Sequence, residues 1–298
     1  MMGRSQIAAA LGAHLQPHYP EAQGARLYLD LMKKALLASI YEENGWYVLG
    51  SLGGVTSFKT WLQSLLVKLA WTKRLLLVRP GIADRNSWGL FGYTMIGLPR
   101  LDNIQACAED VIRNDVEGDF IETGVWRGGA TILMRAILKA YGVTDRAVWV
   151  ADSFEGLPPL KKKDAAYKDD AMDVSGMNDG GPLKLGLAVS LERVRANFAK
   201  FDLLDEQVKF LKGWFCDTLP NAPIKKLAIL RLDGDMYQST MDALNGLYSK
   251  VSKGGYVIVD DYNCWPHCKQ AVDDFRQKHG VKEEIVSIDE YGVFWKVA

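Results

Sequence analysis

The sequence lacks several features that would assign it to a particular class of protein. Its 298 residues include only four cysteines, at scattered positions, and balance 36 acidic against 36 basic side chains. So few cysteines do not make a disulfide framework, and we expect reduced thiols in a cytoplasmic protein. A formal net charge of zero gives no overall sign of nucleic-acid binding. No apolar run of roughly 18 residues and no apolar signal-peptide core are present, so we expect neither a membrane span nor a leader.

What the sequence does contain is a regular succession of strand and helix patterns. With 48% hydrophobic residues, the chain can bury one large core and a small accessory region. The second half alternates apolar strand runs with helical stretches, which is typical of an α/β fold. Strands are predicted at residues 119–123, 147–151, 208–211, 227–232 and 256–259, with a final antiparallel hairpin formed by 283–288 and 292–297.

Helical patterns dominate the N-terminal part, and we divide the chain accordingly. Residues 1–114 are predicted to form a helical cap that contacts the acceptor and a second subunit, and residues 115–298 a catalytic domain. Helices are predicted at residues 25–41, 93–114 and 191–201. The first of these carries Leu27, Leu31, Ala35 and Leu36 on one side.

A glycine-rich turn after the first predicted strand is the main indication of a cofactor site. Residues 119–131 run from a strand through Glu122, Gly124 and Gly128 into a helix. A strand, a glycine turn and a helix in this order form a cofactor crevice at the carboxyl edge of a sheet. Glycine permits close approach of a ligand, and a carboxylate suits a cationic ligand better than a pyrophosphate. S-adenosylmethionine (SAM) carries a sulfonium and an ammonium group and is therefore a suitable ligand. The alternative is that the motif is an ordinary tight turn without a ligand.

Two further strand ends carry residues suited to the adenosine part of such a ligand. Asp152 follows the strand of residues 147–151, at the position where a carboxylate accepts hydrogen bonds from ribose hydroxyls. Trp214 and Phe215 follow the next strand and can lie against an adenine. A core position for Trp214 is the alternative.

Three aspartates follow the last two predicted parallel strands. Asp233 comes after one strand, and Asp260 and Asp261 come after the next. If these strands are neighbours, the three carboxylates meet at one edge of the sheet. They would repel one another unless a cation neutralised them, and Mg²⁺ prefers oxygen ligands. We favour this interpretation because no basic residue nearby in the sequence pairs with them; helix capping is the alternative.

Two segments have no place in the strand and helix pattern. Residues 50–88 contain an apolar stripe with lysines off it, formed by Phe58, Trp61, Leu62, Leu65, Leu66 and Leu69. We expect the stripe to pack on the core or on a second subunit, and contact of residues 58–78 with a membrane surface is the alternative. Residues 156–186 form a long irregular segment, which is typical of a lid or of disorder.

Residues 122–130, Glu-Thr-Gly-Val-Trp-Arg-Gly-Gly-Ala, resemble the SAM-binding signature of the macrocin O-methyltransferase family. Further similar stretches are Tyr28–Leu31, Thr94–Leu98, Arg100–Asn103, Val148–Phe154, Gly213–Phe215, Thr218–Pro220, Leu230–Tyr237 and Asp260–Tyr262. The resemblance covers residues 25–48 and 89–298. It implies a Rossmann-like class I SAM-dependent methyltransferase fold, with a mostly parallel seven-stranded sheet, an antiparallel C-terminal hairpin and an N-terminal helical cap. It also implies methyl transfer from SAM to a sugar hydroxyl of a glycosylated natural product, assisted by Mg²⁺.

The resemblance also implies roles for individual residues. Contacts with SAM are implied for Thr94, Met95, Glu122, Thr123, Gly124, Gly128, Asp152, Ser153, Trp214, Phe215 and Asp233. Mg²⁺ ligation is implied for Asp233, Asp260 and Asp261, with Asp233 also the general base. Apolar walls around the methyl group are expected from Trp126, Trp214, Tyr262 and Trp265.

Some alternatives remain open at this point. His267 is a second candidate for the base. A catechol-type O-methyltransferase, acting on a small diol or phenol, is the alternative function, because the same three-ligand site would chelate a catechol. We expect a homodimer with a small-molecule glycoside acceptor and no nucleic-acid partner.

Overall fold

The computed structural model describes residues 20–40, 47–48, 88–89, 92–158, 178 and 186–298. The helices are α1 (Pro20–Leu36), α2 (Leu98–Arg113), α3 (Gly129–Ala140), α4 (Leu191–Lys200), α5 (Phe215–Thr218), α6 (Tyr237–Leu247) and α7 (Pro266–His279). The strands are β1 (Tyr47–Val48), β2 (Trp88–Gly89), β3 (Asp119–Thr123), β4 (Val148–Asp152), β5 (Val208–Lys212), β6 (Leu227–Leu232), β7 (Val251–Val259), β8 (Val286–Ser287) and β9 (Val293–Lys296). The apolar stripe predicted after residue 50, and residues 159–177 and 179–185 of the predicted lid, lie outside the described residues.

The main sheet has seven strands in the order β5-β4-β3-β6-β7-β9-β8. β3 to β7 are mutually parallel, whereas β9 is antiparallel to both β7 and β8. The predicted strands and the antiparallel C-terminal hairpin are therefore confirmed. The chain winds outward from β3 to β5 and then returns to β6 on the other side of β3. In such a sheet the crevice at this change of direction is where ligands bind.

Alternating side chains of the central strands build one core on each face of the sheet. Phe120 and Val148 join the core beneath α1, α2, α3 and α4, whereas Ile121 and Trp149 join the core beneath α6 and α7. Because apolar residues are buried on both faces, β4 and β6 are nearly continuous apolar runs, whereas β3 combines Phe120 and Ile121 with polar residues. The packed sheet brings the ends of its parallel strands to one edge, where a site can be built.

α1 buries only part of the side that its leucine spacing predicts. Leu36 is buried, but Leu27 and Leu31 are 66% and 56% exposed. The other buried residues of the helix are Leu29, Met32 and Lys33. Lys33 has a place on this face because its ammonium group pairs with Asp102 on α2 at 2.8 Å. The helix also starts and ends earlier than the predicted range of residues 25–41.

α2 begins later than the helix predicted over residues 93–114. Gly97 is its extended N-cap, and Pro99 occupies its first turn, where a missing N–H costs nothing. The residues before it cross the start of α3, where the carbonyl oxygen of Tyr93 accepts a hydrogen bond from the N–H of Gly129 at 2.9 Å. This segment is therefore part of the crevice and not a helical turn.

A short two-stranded ladder joins the residues on either side of the predicted apolar stripe. Tyr47 pairs antiparallel with Gly89, and Val48 pairs with Trp88. Val48 and Trp88, on either side of residues 49–87, are therefore neighbours in the structure. Among the described residues, no helix is long and apolar enough to cross a membrane.

Candidate active site

Hydrogen bonds extend the strand ladder beyond the carboxyl ends of β3, β6 and β7. The N–H of Asp233 donates to the carbonyl oxygen of Thr123, and the N–H of Asp260 donates to that of Leu232, both at 2.9 Å. These strands are adjacent and parallel, so their ends lie along one edge of the sheet. The aspartates that follow β6 and β7 therefore meet beside the glycine turn that follows β3.

The turn between β3 and α3 requires glycine at position 124. Gly124 has a φ of +88°, and a Cβ atom there would lie 1.7 Å from the carbonyl oxygen of Asp233. Gly128 has the same φ, but its near neighbours are the side chains of Val194 and Phe198 on α4. Gly124 thus lets the turn contact the end of β6, whereas Gly128 packs the start of α3 against α4.

Asp152 fixes the turn from the neighbouring strand. Its Oδ2 accepts a hydrogen bond from the N–H of Val125, and its Oδ1 accepts one from the N–H of Phe154, both at 2.7 Å. Burial raises the pKa of Asp152, and these backbone donors oppose the shift. Oδ1 also accepts a longer hydrogen bond from the hydroxyl of Ser153, at 3.4 Å. Asp152 lines the cavity, where its carboxylate can accept hydrogen bonds from a ligand.

A cavity of about 220 Å³ opens at this edge of the sheet. Seven predicted SAM contacts line it: Met95, Gly124, Asp152, Ser153, Trp214, Phe215 and Asp233. The other four, Thr94, Glu122, Thr123 and Gly128, are not among the residues described along its wall. Thr94 and Thr123 are buried, and Thr94 packs against Gly129 at the start of α3. The predicted contacts of these four residues with SAM stay predictions.

The expected aromatic walls are placed in part. Trp126 and Trp214 line the cavity. Tyr262 does not, because its hydroxyl donates to Asp273 on α7 at 2.7 Å. Neither Trp265 nor the candidate base His267 is among the residues described along the wall.

The three predicted metal ligands are brought together. One carboxylate oxygen from each of Asp233, Asp260 and Asp261 lies within 4.8 Å of the other two. Asp260 and Asp261 are buried, whereas Asp233 is partly exposed and faces the cavity. The aspartates do not cap the next helices, since neither α6 nor α7 has a side-chain cap.

Two arginines contact this cluster, so the argument that it has no basic partner is wrong. Nη1 of Arg231 donates to Glu122 and, at 2.7 Å, to Oδ2 of Asp233, and its Nη2 donates to Oδ1 of Asp260. Nη1 of Arg100, on α2, donates to Oδ2 of Asp260. Arg231 stands two residues before Asp233, and strand residues at that spacing share a face of the sheet. Glu122 thus pairs with Arg231, and its predicted contact with the cofactor stays a prediction.

The site nevertheless retains excess negative charge. Burial raises the pKa of Glu122 to about 8, although Arg231 opposes the shift. Burial and the charge of Asp260 raise the pKa of Asp233 to about 6, and burial with the charge of Asp233 raises that of Asp235 to about 7. The pKa of Asp261 is also raised, by burial and by its acidic neighbours. Carboxylates crowded in this way favour a bound cation.

Asp235 is a site residue that sequence reasoning missed. It lines the cavity, has a φ of +57°, and its N–H donates to Oδ2 of Asp261 at 3.2 Å. The available signal was its place in the Asp-Gly-Asp motif with Asp233. The wall also includes Gly156, Leu157, Pro158, Leu187, Cys216, Gly234, Gln238, Ser239 and Asp242. Hydrophobic periodicity could not identify these residues, because they come from separate loops, from α5 and from α6.

Comparisons with known proteins identify the family of the chain. Residues 25–297 match the family model of the macrocin O-methyltransferases (TylF). The demethyldecarbamoylnovobiocin O-methyltransferase of Streptomyces niveus is 48% identical over 271 residues, which is 91% of this chain and 93% of that protein. The mycinamicin III 3″-O-methyltransferase of Micromonospora griseorubida is 42% identical over 273 residues, or 92% of this chain and 97% of that protein.

A solved structure is similar over the same length. The O-methyltransferase NovP superposes with a TM-score of 0.69 at 46% sequence identity, covering 92% of this chain and 99% of NovP. The matched range of the family model includes the turn, the cavity wall and all three clustered aspartates. The chain therefore belongs to the macrocin O-methyltransferase family and is a SAM-dependent O-methyltransferase with a class I fold.

Proposed function

We propose that this enzyme methylates one hydroxyl of a vicinal diol on the sugar of a glycosylated natural product. The observation that carries the proposal is the cluster of Asp233, Asp260 and Asp261 at the edge of the cofactor cavity. Such a cluster suits an acceptor with two adjacent oxygens. The similar proteins support this choice, because their names give demethyldecarbamoylnovobiocin and the 3″ oxygen of mycinamicin III as acceptors.

We propose that Asp233, Asp260 and Asp261 hold Mg²⁺. The donor set is entirely carboxylate oxygen, which suits a hard divalent ion. Asp233 is the member that faces the cavity, so the cation would sit between the sheet and the acceptor. When bound, Mg²⁺ supplies Lewis acidity that makes a coordinated hydroxyl easier to deprotonate.

The cavity wall suggests how the protein orients SAM, which supplies the methyl group from its sulfonium. We propose that Asp152 accepts hydrogen bonds from the ribose and that Trp214 and Phe215 flank the adenine, since all three line the cavity. Gly124 also lines the cavity, and with no side chain it lets the cofactor approach the backbone. Trp126 lines the cavity as an apolar wall, which suits a reaction in which the sulfonium loses its charge. Holding both reactants in line supplies much of the acceleration in such a displacement.

Two carboxylates are candidates for accepting the proton of the sugar hydroxyl. The resemblance implies that Asp233 is the base. Its Oδ2 already accepts a hydrogen bond from Arg231, however, and Asp233 belongs to the carboxylate cluster with Asp260 and Asp261. Asp235 lines the same cavity and is not a member of that cluster. We therefore propose that Asp233 contributes to catalysis as a cation ligand and that Asp235 accepts the proton.

The function is tested with labelled SAM and a panel of acceptors. The panel contains glycosides with a vicinal diol, the same glycosides lacking one of the two hydroxyls, and a catechol. We expect mass spectrometry to show one added methyl group on the diols, none on the deoxy compounds, and no product in excess EDTA. Transfer to the catechol alone identifies the catechol-type alternative. Full transfer in EDTA contradicts the Mg²⁺ proposal while leaving the methyltransferase assignment intact.

We also propose that the enzyme is a homodimer. Leu27 and Leu31 of α1 are exposed apolar side chains, which suits a surface covered by a second subunit. Sedimentation equilibrium should give twice the chain mass, and Leu27→Asp with Leu31→Asp should lower it. A monomeric protein that pellets with anionic vesicles would instead favour contact of residues 58–78 with a membrane surface. The cytoplasmic location stays a prediction.

A further inference from the structure

The guanidinium of Arg231 contacts carboxylates belonging to three adjacent strands. Glu122 lies on β3, Asp233 follows β6, and Asp260 follows β7. Glu122 and Arg231 are direct partners in the register of β3 and β6. Arg231 is 1% exposed, and a buried charge is tolerated only when it is paired. The arginine thus joins two of the three clustered aspartates from within the sheet.

A second guanidinium fixes one of the same aspartates from the other side. Nη1 of Arg100 donates to Oδ2 of Asp260, whose Oδ1 is held by Arg231. Nε of Arg100 donates to Asp289 at 2.8 Å, and Asp289 accepts from the N–H of Gly292 in the loop between β8 and β9. The carboxylate of Asp260 therefore lies between two arginines that are themselves anchored. Its rotation is restricted before any cation binds.

These contacts act on a cation site in two opposite ways. The positive charge of an arginine weakens cation binding through repulsion. Its planar fork holds two carboxylates close together against their mutual repulsion and leaves their other lone pairs available. A lysine retains the charge and loses the fork, so exchanging arginine for lysine isolates the geometric effect.

We propose that Arg231 and Arg100 are positioning residues that hold Asp233 and Asp260 in the arrangement that binds a divalent cation. The inference rests on the proposed Mg²⁺ site and adds that two of its ligands are oriented by guanidinium groups. Groups that hydrogen-bond to metal ligands typically contribute 10–100-fold to metal affinity. Arg231 orients two ligands and Arg100 orients one, so the larger effect is expected from Arg231.

The experiment measures Mn²⁺ binding by electron paramagnetic resonance, which counts the free ion, in the presence of S-adenosylhomocysteine. The variants are Arg231→Lys and Arg100→Lys. The control is Arg135→Lys, because Arg135 is also buried and forms a two-bond pair with Asp205, but on α3. Thermal melting without Mn²⁺, and calorimetry with S-adenosylhomocysteine, establish that each variant is folded.

We expect the Mn²⁺ dissociation constant to rise at least about tenfold for both test variants and to stay unchanged for the control. Folded Arg231→Lys and Arg100→Lys proteins that bind Mn²⁺ as tightly as the unsubstituted protein, or more tightly, overturn the proposal. If Arg231→Lys does not fold, Arg100→Lys decides the matter alone. Absence of Mn²⁺ binding in the unsubstituted protein contradicts the Mg²⁺ site itself, and the positioning role is then rejected with it.

Discussion

A Cβ atom at Gly124 would lie 1.7 Å from the carbonyl oxygen of Asp233, so the cofactor turn and the cation cluster touch through their backbones. Any larger residue at position 124 would clash with the carbonyl oxygen of Asp233 whether or not a ligand is bound. A change at Gly124 should therefore disturb the edge of the sheet and both halves of the site together.

The first prediction compares Gly124→Ala with Gly142→Ala. Both glycines have positive φ, so both variants bear a backbone cost of about 1–2 kcal/mol. A Cβ at Gly142 meets nothing within 4 Å, so the steric conflict is specific to Gly124. Gly124→Ala should melt at least about 2–4 °C lower than the control and lose SAM binding by calorimetry. Equal melting temperatures for the two variants would show that the backbone of the turn can move and relieve the clash without a loss of stability.

The second prediction concerns Asp152. Asp152→Ala should weaken SAM binding at least about tenfold, because each hydrogen bond to a charged acceptor contributes roughly 1.5–3 kcal/mol. A SAM analogue without ribose hydroxyls should lose less affinity than SAM does, because it is affected only through the turn that Asp152 supports. Asp119→Asn is the control, since Asp119 also accepts a backbone hydrogen bond, from Ala147 at 2.8 Å, but at the opposite end of β3. An equal loss for the analogue would mean that Asp152 only supports the turn.

The third prediction separates the proton acceptor from the cation ligand. Asp235→Asn should lower kcat about 10²–10⁴-fold while retaining Mn²⁺ and SAM binding. Asp233→Asn should lose Mn²⁺ affinity and turnover and still bind SAM. Asp242→Asn, on the same cavity wall but outside the cluster, should retain most activity. A fully active Asp235→Asn protein would return the role of base to Asp233.

The fourth prediction uses the ladder of β1 and β2. Because Val48 pairs with Trp88, residues 49–87 can be replaced by Asn-Gly, the preferred two-residue hairpin loop. The shortened protein should bind SAM as before, since the described cavity wall contains none of the replaced residues. Acceptor turnover, dimerisation or both should fall, as measured by product formation and sedimentation. A shortened protein that is dimeric and fully active would show that residues 49–87 have no such role.

Sequence reasoning located the parts of the site that depend on strand ends. Apolar runs predicted the strands, and parallel strands end along one edge, which brought Asp233, Asp260 and Asp261 together correctly. Arg100 was missed because its partner is set by packing: it lies 160 residues from Asp260. Arg231 was missed although it stands only two residues before Asp233, at a spacing that places both on one face of a strand. The burial of Lys33 could not be predicted from the sequence either, because it depends on Asp102, a partner on another helix.

The bond between Arg231 and Glu122 also has a consequence for folding. It joins residues 109 apart, and the bond from Arg100 to Asp260 spans 160. Contacts of such separation close long loops and tend to form late, whereas helices such as α3 form from local contacts. A partly folded chain would possess every aspartate of the cluster without the arrangement that binds a cation. The onset of Mn²⁺ binding during refolding should therefore mark the moment when β3, β6 and β7 come together.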